Sequence, residues 1–291
     1  MRITGRTRLA GIMGWPVTHS RSPALHNFWI DEHGIDGAYV PLPVAPEHLA
    51  QALRALPALG FRGCNLTLPH KQAALAIVDR VEPLARRIGA MNTVIVAPDG
   101  SLEGRNTDVF GFRENLRERA PDWSASAGPA VVLGAGGAAR AIVAALIEAR
   151  VDEIRLVNRT LARAERLARD LAAPATRITI HPWSEQDMAQ RDAGLLVNTT
   201  SLGMTGEPEL DIDLTPLPRP AVVVDIVYVP LKTTLLAVAR KRGHPTVDGL
   251  GMLLHQGRPG FEAWFGRPVH VTRELRAAVL TTLGATMSAP R

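Results

Sequence analysis

Short apolar segments alternate with helix-forming segments along nearly the whole chain. Apolar runs rich in Val, Ile and Leu predict buried β-strands, and the stretches between them carry helical spacing. The predicted strands are 9–14, 39–44, 60–66, 129–133, 154–157, 177–181, 195–198, 222–226 and 245–247. The predicted helices are 23–32, 46–56, 71–77, 82–88, 108–119, 142–150, 161–171, 235–242, 250–264 and 272–283. Residues 93–97 and 101–104 predict a hairpin, because Pro98-Asp99-Gly100 supplies a turn. Repeated strand–helix units favour an α/β fold with mainly parallel sheets in both halves.

A glycine motif follows the predicted strand 129–133 in the middle of the chain. It reads Gly134-Ala135-Gly136-Gly137-Ala138 and opens the next helix. This strand, turn and helix context is typical of a Rossmann dinucleotide site. Gly134 allows the tight turn, Gly136 lets the backbone approach a pyrophosphate, and small Ala139 lets the helix pack on its strand. The N–H groups of the helix N-terminus then face the phosphates.

The end of the following strand indicates which cofactor is used. NAD enzymes commonly place Asp or Glu there, for the ribose 2′-OH. Here the segment reads Asn158-Arg159-Thr160, with Arg163 one helical turn further on. Two guanidinium groups can hold a 2′-phosphate, which a carboxylate would repel. The sequence therefore predicts NADP(H). The alternative is that both arginines are ordinary surface residues.

The length and the position of the motif predict two domains. At 291 residues the chain is long enough for about two, and 120–128 forms a linker of small residues and proline. We expect a substrate-binding and catalytic domain at 1–110, a Rossmann domain binding NADP at 111–248, and C-terminal helices at 249–291.

Composition excludes several classes of protein. No apolar run reaches the length of a membrane span, and the N-terminus lacks the apolar core of a signal peptide, so we expect a cytoplasmic protein. A single cysteine, Cys64, excludes an internal disulfide and a cysteine-based zinc site. The histidines show no metal-ligand spacing, and we expect no metal. The net charge of +5 is dispersed and aromatic residues are only 4%, which favours an anionic small molecule over nucleic acid.

Polar residues gather where strands of the first half end. Ser20 and Ser22 follow the first strand and suit a carboxylate or a polyol, although Ser22 could simply cap the next helix. Lys71 closes the segment after the third strand. Of 33 lysine and arginine residues only three are lysine, and lysine, unlike arginine, can give up its proton. Lys71 is therefore a candidate base, or else a solvated lysine. The Asp108 carboxylate has two possible roles. It could orient either Lys71 or a hydroxyl group of the substrate, or it could cap the next helix. His70 is expected to be structural or on the surface rather than catalytic.

Three further segments carry candidate residues in the second half. Asn198-Thr199-Thr200-Ser201 ends one strand, and Asp225-Ile226-Val227-Tyr228 ends another. Asp248-Gly249-Leu250 then leads into a helix that contains Gln256. Tyr228 could be a core residue instead, and Gln256 a surface amide. Pro259 should break or kink this helix, which affects the placement of Gln256.

Taken in order, these motifs resemble the shikimate dehydrogenase family over about residues 9–264. The resemblance rests on GWPVTHSRSP, GCNLTLPHK, AMNT, GRNTD, GAGGAAR with NRT, and DGLGML. It implies reversible NADPH-dependent reduction of 3-dehydroshikimate to shikimate in aromatic amino acid biosynthesis. It also implies an N-terminal α/β substrate domain with a mainly parallel sheet, a Rossmann domain, and C-terminal helices that return to the first domain.

The resemblance also assigns residues to roles. Lys71 and Asp108 match the catalytic pair. The substrate-binding residues that it implies are Ser20, Ser22, Thr67, Lys71, Asn92, Asp108, Tyr228 and Gln256. The cofactor-binding residues that it implies are Gly134, Ala135, Gly136, Gly137, Ala138, Asn158, Arg159, Thr160, Arg163, Ile226 and Gly249.

Two other functions stay open. One is a quinate dehydrogenase or a quinate/shikimate dehydrogenase. The residues after Gln256 do not distinguish such an enzyme from a shikimate dehydrogenase. The other is a non-catalytic NADP(H)-binding sensor, against which the presence of Lys71 and Asp108 argues. The expected partners are the small-molecule substrate and the cofactor, without nucleic acid or membrane, in a monomer or homodimer.

Overall fold

The computed structural model describes residues 3–285. The chain divides into two compact units. The first unit holds the chain up to Thr107 and again from Leu253 onward, and the second unit is Asp108–Met252. The sequence placed the corresponding boundaries at 110/111 and 248/249.

The first unit is built on a six-stranded mixed sheet. Its strands are β1 (Arg8–Gly14), β2 (Gly37–Pro43), β3 (Phe61–Leu66), β4 (Arg80–Val81), β5 (Thr93–Val96) and β6 (Leu102–Arg105), in the order β2-β1-β3-β5-β6-β4. Strand β1 pairs in parallel with β2 and β3, and β4 pairs in parallel with β6. The predicted hairpin is confirmed, since β5 runs antiparallel to both β3 and β6. The two-residue strand β4 was not predicted.

Helices cover the sheet of the first unit. They are α1 (Ser22–Glu32), α2 (Leu49–Ala55), α3 (His70–Ala73) and α4 (Pro83–Ile88), with single 3-10 turns at Pro46–His48 and Ala74–Ala76. The predicted helices 46–56 and 71–77 therefore each combine a 3-10 turn with a short α-helix. The apolar core between sheet and helices includes Leu53, Leu66 and Val94, all almost fully buried.

The second unit begins with α5 (Asp108–Arg119) and has a six-stranded parallel sheet. Its strands are β7 (Ala130–Leu133), β8 (Glu153–Asn158), β9 (Arg177–Pro182), β10 (Leu195–Asn198), β11 (Val222–Asp225) and β12 (Thr246–Val247), in the order β12-β11-β10-β7-β8-β9. The helices between them are α6 (Gly137–Glu148), α7 (Leu161–Leu171), α8 (Gln186–Gln190) and α9 (Thr234–Lys241). This is the doubly wound Rossmann order, in which the order reverses between β7 and β10. Helix α8 was not predicted.

The C-terminal helices correct one expectation. Helix α10 (Gly249–Phe265) continues through Pro259 without a break, and α11 (Arg273–Ala285) follows it. A proline inside a helix removes one hydrogen bond. Buried side chains after it offset that loss, because Phe261 and Trp264 pack against the aromatic residues of α1 and β2.

Candidate functional site

The glycine turn of the second unit has two different kinds of glycine. Gly134 has φ +104°, and a Cβ on it would lie 2.8 Å from Thr199 Oγ1. It is thus needed for the turn itself and for close packing on the neighbouring strand end. Gly136, just before α6, has φ −90° and ψ −169°. A Cβ on Gly136 or Gly137 would meet no protein atom within 4 Å. The free space at these two glycines, beside the first N–H groups of α6, fits a dinucleotide pyrophosphate.

The end of β8 supplies positive charge without a carboxylate. Asn158 Nδ2 donates to the Thr160 carbonyl at 2.7 Å, which shapes the turn into α7. Arg159 and Arg163 are both exposed. Their guanidinium groups are therefore available to an anion from solvent, and no acidic side chain stands at the strand end to take a ribose hydroxyl.

Two further residues of the predicted cofactor set lie against each other. A Cβ on Gly249 would overlap the backbone carbonyl of Ile226. Glycine is therefore required where the start of α10 meets the loop after β11. Tyr228, further along the same loop, is partly exposed.

In the first unit, Ser20 and Ser22 have different roles at the start of α1. Ser22 is the first helical residue and is almost fully buried. Its backbone N–H donates to Ser20 Oγ at 3.2 Å. The proposed cap at Ser22 is wrong, because Arg21 occupies the N-cap position of α1 and no side-chain cap hydrogen bond forms there. Burial raises the pKa of Tyr39 well above its ordinary value, while Ser22 acts in the opposite direction.

A buried hydrogen-bond network joins distant parts of the first unit. Asn92 Nδ2 donates to Gln256 Oε1 at 3.1 Å and to Thr107 Oγ1 at 3.0 Å, and the Thr107 N–H donates to Asn92 Oδ1 at 2.8 Å. Asn65 Nδ2 donates to the Asn92 carbonyl at 3.1 Å, and Tyr39 Oη donates to Asn65 Oδ1 at 2.6 Å. The alternative of a surface amide at Gln256 is therefore wrong.

Sequence reasoning missed three members of this network. Asn65 lies in the GCNLTLPHK motif and Thr107 in the GRNTD motif. Their polar side chains near strand ends were a usable signal. Tyr39 had no such signal, since a tyrosine inside a predicted strand is typical of a core residue.

The remaining candidates of the first unit surround the end of β3. The Thr67 N–H donates to the Met13 carbonyl at 2.9 Å, which ties the segment after β3 to β1. Lys71 is partly buried in α3, and its carbonyl accepts from the Met91 N–H at 2.9 Å. His70 is buried with Nε2 2.8 Å from the Val44 carbonyl, which confirms a structural role.

Asp108 is the first residue of α5 and of the second unit, and it is almost fully buried. A carboxylate in the first turn of a helix is stabilised by the helix dipole. Asp108 therefore anchors the start of α5.

Within 3–285 no group of three or more His, Cys, Asp or Glu side chains could hold a metal ion. No helix in that part of the chain is both long and apolar enough to cross a bilayer.

The fold and the glycine turn define a dinucleotide-binding α/β enzyme with a second α/β unit. Three family models match the chain: the shikimate dehydrogenase substrate binding domain over 12–94, shikimate / quinate 5-dehydrogenase over 117–226, and the shikimate 5′-dehydrogenase C-terminal domain over 249–279. Shikimate dehydrogenase (NADP(+)) of Rhodospirillum rubrum is 62% identical over 279 residues, 96% of this chain and 99% of that protein. The chain belongs to the shikimate dehydrogenase family, which confirms the resemblance drawn from the motifs.

Two solved structures show how far the similarity extends. Shikimate 5-dehydrogenase from Thermus thermophilus, in complex with NADP(H) and shikimate, superposes with a TM-score of 0.83 at 38% identity, covering 94% of this chain and 99% of that one. Quinate dehydrogenase from Corynebacterium glutamicum, in complex with NAD, gives a TM-score of 0.88 at 31% identity with the same coverage. The predicted α/β fold with a Rossmann domain is thereby confirmed.

Proposed function

We propose that this protein is an NADP-dependent shikimate dehydrogenase, which interconverts 3-dehydroshikimate and shikimate in aromatic amino acid biosynthesis. The observation that carries the proposal is the buried network of the first unit, in which Asn92 and Gln256 are hydrogen-bonded to each other. Buried amides held in place by one another are pre-organised to bind a small polar ligand with several hydroxyl groups. The same chain carries a glycine turn that fits a dinucleotide.

The substrate contacts follow from side-chain chemistry. A carboxylate needs hydrogen-bond donors, and the Ser20 and Ser22 hydroxyls at the start of α1 supply two. Ring hydroxyls both donate and accept, which suits Thr67, Asn92 and Gln256. Tyr228 is proposed to add a phenolic hydroxyl. We propose the first unit as the substrate domain, together with the C-terminal helices, and the second unit as the nucleotide domain.

Lys71 and Asp108 are proposed to handle the proton. When bound, NADP⁺ would supply the hydride acceptor for oxidation of the carbon that carries the reacting hydroxyl. In that direction the Lys71 amine takes the hydroxyl proton, so that an alcohol becomes a ketone and one proton is released. In the reverse direction the Lys71 ammonium returns the proton to the ketone oxygen. The Asp108 carboxylate is proposed to orient the amine or the hydroxyl, which contributes through positioning.

Cofactor choice is proposed to depend on Arg159 and Arg163. A 2′-phosphate carries negative charge that an exposed guanidinium pair can bind through charge-assisted hydrogen bonds. The nicotinamide end is proposed to contact Ile226 and Gly249. Gly134, Ala135, Gly136, Gly137 and Ala138 are proposed to surround the pyrophosphate, and Asn158 and Thr160 to shape the turn beside the ribose.

The test is an initial-rate comparison of shikimate and quinate, each with NADP⁺ and NAD⁺. We expect the highest kcat/KM for shikimate with NADP⁺. Preference for quinate or for NAD⁺ would instead support a quinate dehydrogenase. Cofactor binding without turnover of either substrate would support a sensor. A cytoplasmic location and a monomeric or homodimeric state stay predictions from the sequence.

A further inference from the structure

Two polar side chains stand opposite each other at the ends of neighbouring strands of the second unit. Asn198 is the last residue of β10, Asp225 is the last residue of β11, and the two are register partners in the parallel pair. Both are fully buried. Asn198 Nδ2 donates to Asp225 Oδ1 at 3.0 Å.

Each member of the pair also holds the loop that follows its strand. Asn198 Oδ1 accepts from the Thr200 N–H at 3.0 Å and from Thr200 Oγ1 at 2.7 Å, and its Nδ2 lies 3.3 Å from the Leu202 carbonyl. Asp225 Oδ1 accepts from the Val227 N–H at 3.0 Å. The loops after β10 and β11 are thus hydrogen-bonded to one shared pair of side chains.

The second carboxylate oxygen reaches the next helix. Thr233 Oγ1 donates to Asp225 Oδ2 at 2.7 Å, and the same hydroxyl accepts from the Leu236 N–H at 3.3 Å as the cap of α9. Asp225 therefore ties both ends of the 226–233 segment, from Val227 next to the strand to Thr233 at the helix.

The strand itself does not require a carboxylate at this position. Val222, Val223 and Val224 precede Asp225 in β11 and are all buried, so an apolar residue would suit the strand. Burial raises the pKa of Asp225, while the hydrogen bonds from Thr233, Val227 and Asn198 act against that shift. A buried carboxylate is costly unless donors surround it. Here those donors come from Asn198 and from the segment after β11. The Asp225 carboxylate therefore fixes the position of that segment.

We infer that Asn198 and Asp225 are positioning residues that hold Ile226 and Tyr228 in place for the cofactor and the substrate. The inference rests on the proposed function, in which Ile226 contacts the nicotinamide end and Tyr228 the substrate. Ile226 lies one residue after Asp225, and its carbonyl packs against Gly249. Neither Asn198 nor Asp225 is proposed to touch the reacting atoms.

The test compares Asp225→Ala with Gln190→Ala in the same unit. Gln190 is a matched control, because it is fully buried and its Nε2 donates to the Asp213 carbonyl at 2.9 Å. Asp213 lies outside the stretches 200–202 and 226–233, which are the ones that Asn198 and Asp225 hold. Two quantities are measured besides the thermal midpoint. They are kcat/KM for shikimate oxidation, and the Kd of adenosine 2′,5′-bisphosphate, which probes only the proposed adenosine end of the site.

For Asp225→Ala we expect kcat/KM to fall about 100-fold, as for a misplaced reacting pair, while the Kd of the bisphosphate changes less than about twofold. Gln190→Ala should lower the thermal midpoint but keep kcat/KM close to that of the wild type. The inference is overturned if Asp225→Ala behaves like Gln190→Ala, or if the bisphosphate Kd weakens in parallel with kcat/KM.

A second variant covers a failure of Asp225→Ala to fold. Asp225→Asn keeps the size of the side chain but leaves one acceptor oxygen for three donors, and we expect a loss of about tenfold in kcat/KM from the disturbed positioning. Wild-type kcat/KM in this variant would overturn the inference. The wild-type assay keeps the two proposals apart, since an enzyme inactive on shikimate contradicts the proposed function before any variant is compared.

Discussion

The glycine turn permits a substitution that should separate cofactor binding from folding. At Gly136 the backbone has φ −90° and ψ −169°, which alanine also adopts. A Cβ there would meet no protein atom within 4 Å. Replacing glycine by alanine at a compatible position stabilises the folded protein by about 0.4–1 kcal/mol. Alanine is a poorer residue than glycine just before a helix, which costs a similar amount. The free energy of unfolding of Gly136→Ala should therefore stay within about 1 kcal/mol of the wild type.

Binding should respond very differently to the same methyl group. It would occupy the space proposed for the pyrophosphate, where overlap costs about 1–3 kcal/mol, and it would displace phosphate oxygens from the N–H groups of α6. A total of about 3 kcal/mol corresponds to roughly a 100-fold weaker Kd for NADP⁺. Isothermal titration calorimetry with NADP⁺ measures this loss, and urea unfolding measures the stability.

Gly134→Ala is the matched comparison, since its effect should be on stability. Gly134 has φ +104°, and a Cβ there would lie 2.8 Å from Thr199 Oγ1. The strained backbone alone costs about 1–3 kcal/mol. We thus expect Gly134→Ala to lower the free energy of unfolding by at least that much. Wild-type NADP⁺ affinity in a folded Gly136→Ala enzyme would refute the assignment of this turn to the cofactor.

Three other predictions concern the proton, the 2′-phosphate and a buried histidine. Lys71→Ala should lower kcat about 10²–10⁴-fold with little change in the NADP⁺ Kd. Lys71→Arg should lower kcat almost as much, because guanidinium does not deprotonate. A near-native kcat in either variant would exclude Lys71 as the proton carrier. Arg159→Ala should reduce kcat/KM with NADP⁺ at least ~10-fold through the loss of a charged hydrogen bond, and unchanged discrimination between NADP⁺ and NAD⁺ would contradict the proposed 2′-phosphate contact. Burial lowers the pKa of His26 from 6.5 to about 3, so between these values the unfolded chain binds a proton that the folded chain does not. The unfolding free energy should therefore fall by about 1.4 kcal/mol per pH unit below pH 6.5. His26→Phe should remove this contribution to the pH dependence, which urea titrations followed by Trp fluorescence can measure. Equal pH slopes in both proteins would contradict this prediction.

The sequence determined the features that depend on neighbouring residues. Apolar runs between polar turns predicted the strands of both sheets apart from β4, and Pro98-Asp99-Gly100 predicted the hairpin. The glycine turn after β7 could be predicted because its strand, turn and helix are contiguous, and short-range backbone preferences decide such a unit. The order of the motifs along the chain identified the family.

The tertiary structure alone decided how distant segments meet. Asn92 and Gln256 are 164 residues apart, yet their side chains share a hydrogen bond, and no local pattern encodes that distance. Asn198 and Asp225 become partners only through the register of β10 and β11. At Pro259 local preference predicted a break or a kink. The helix continues without a break, because the burial of Phe261 and Trp264 outweighs one lost hydrogen bond. Long-range packing and pairing energies of this kind depend on the assembled fold, and for that reason the sequence pattern could not reveal them.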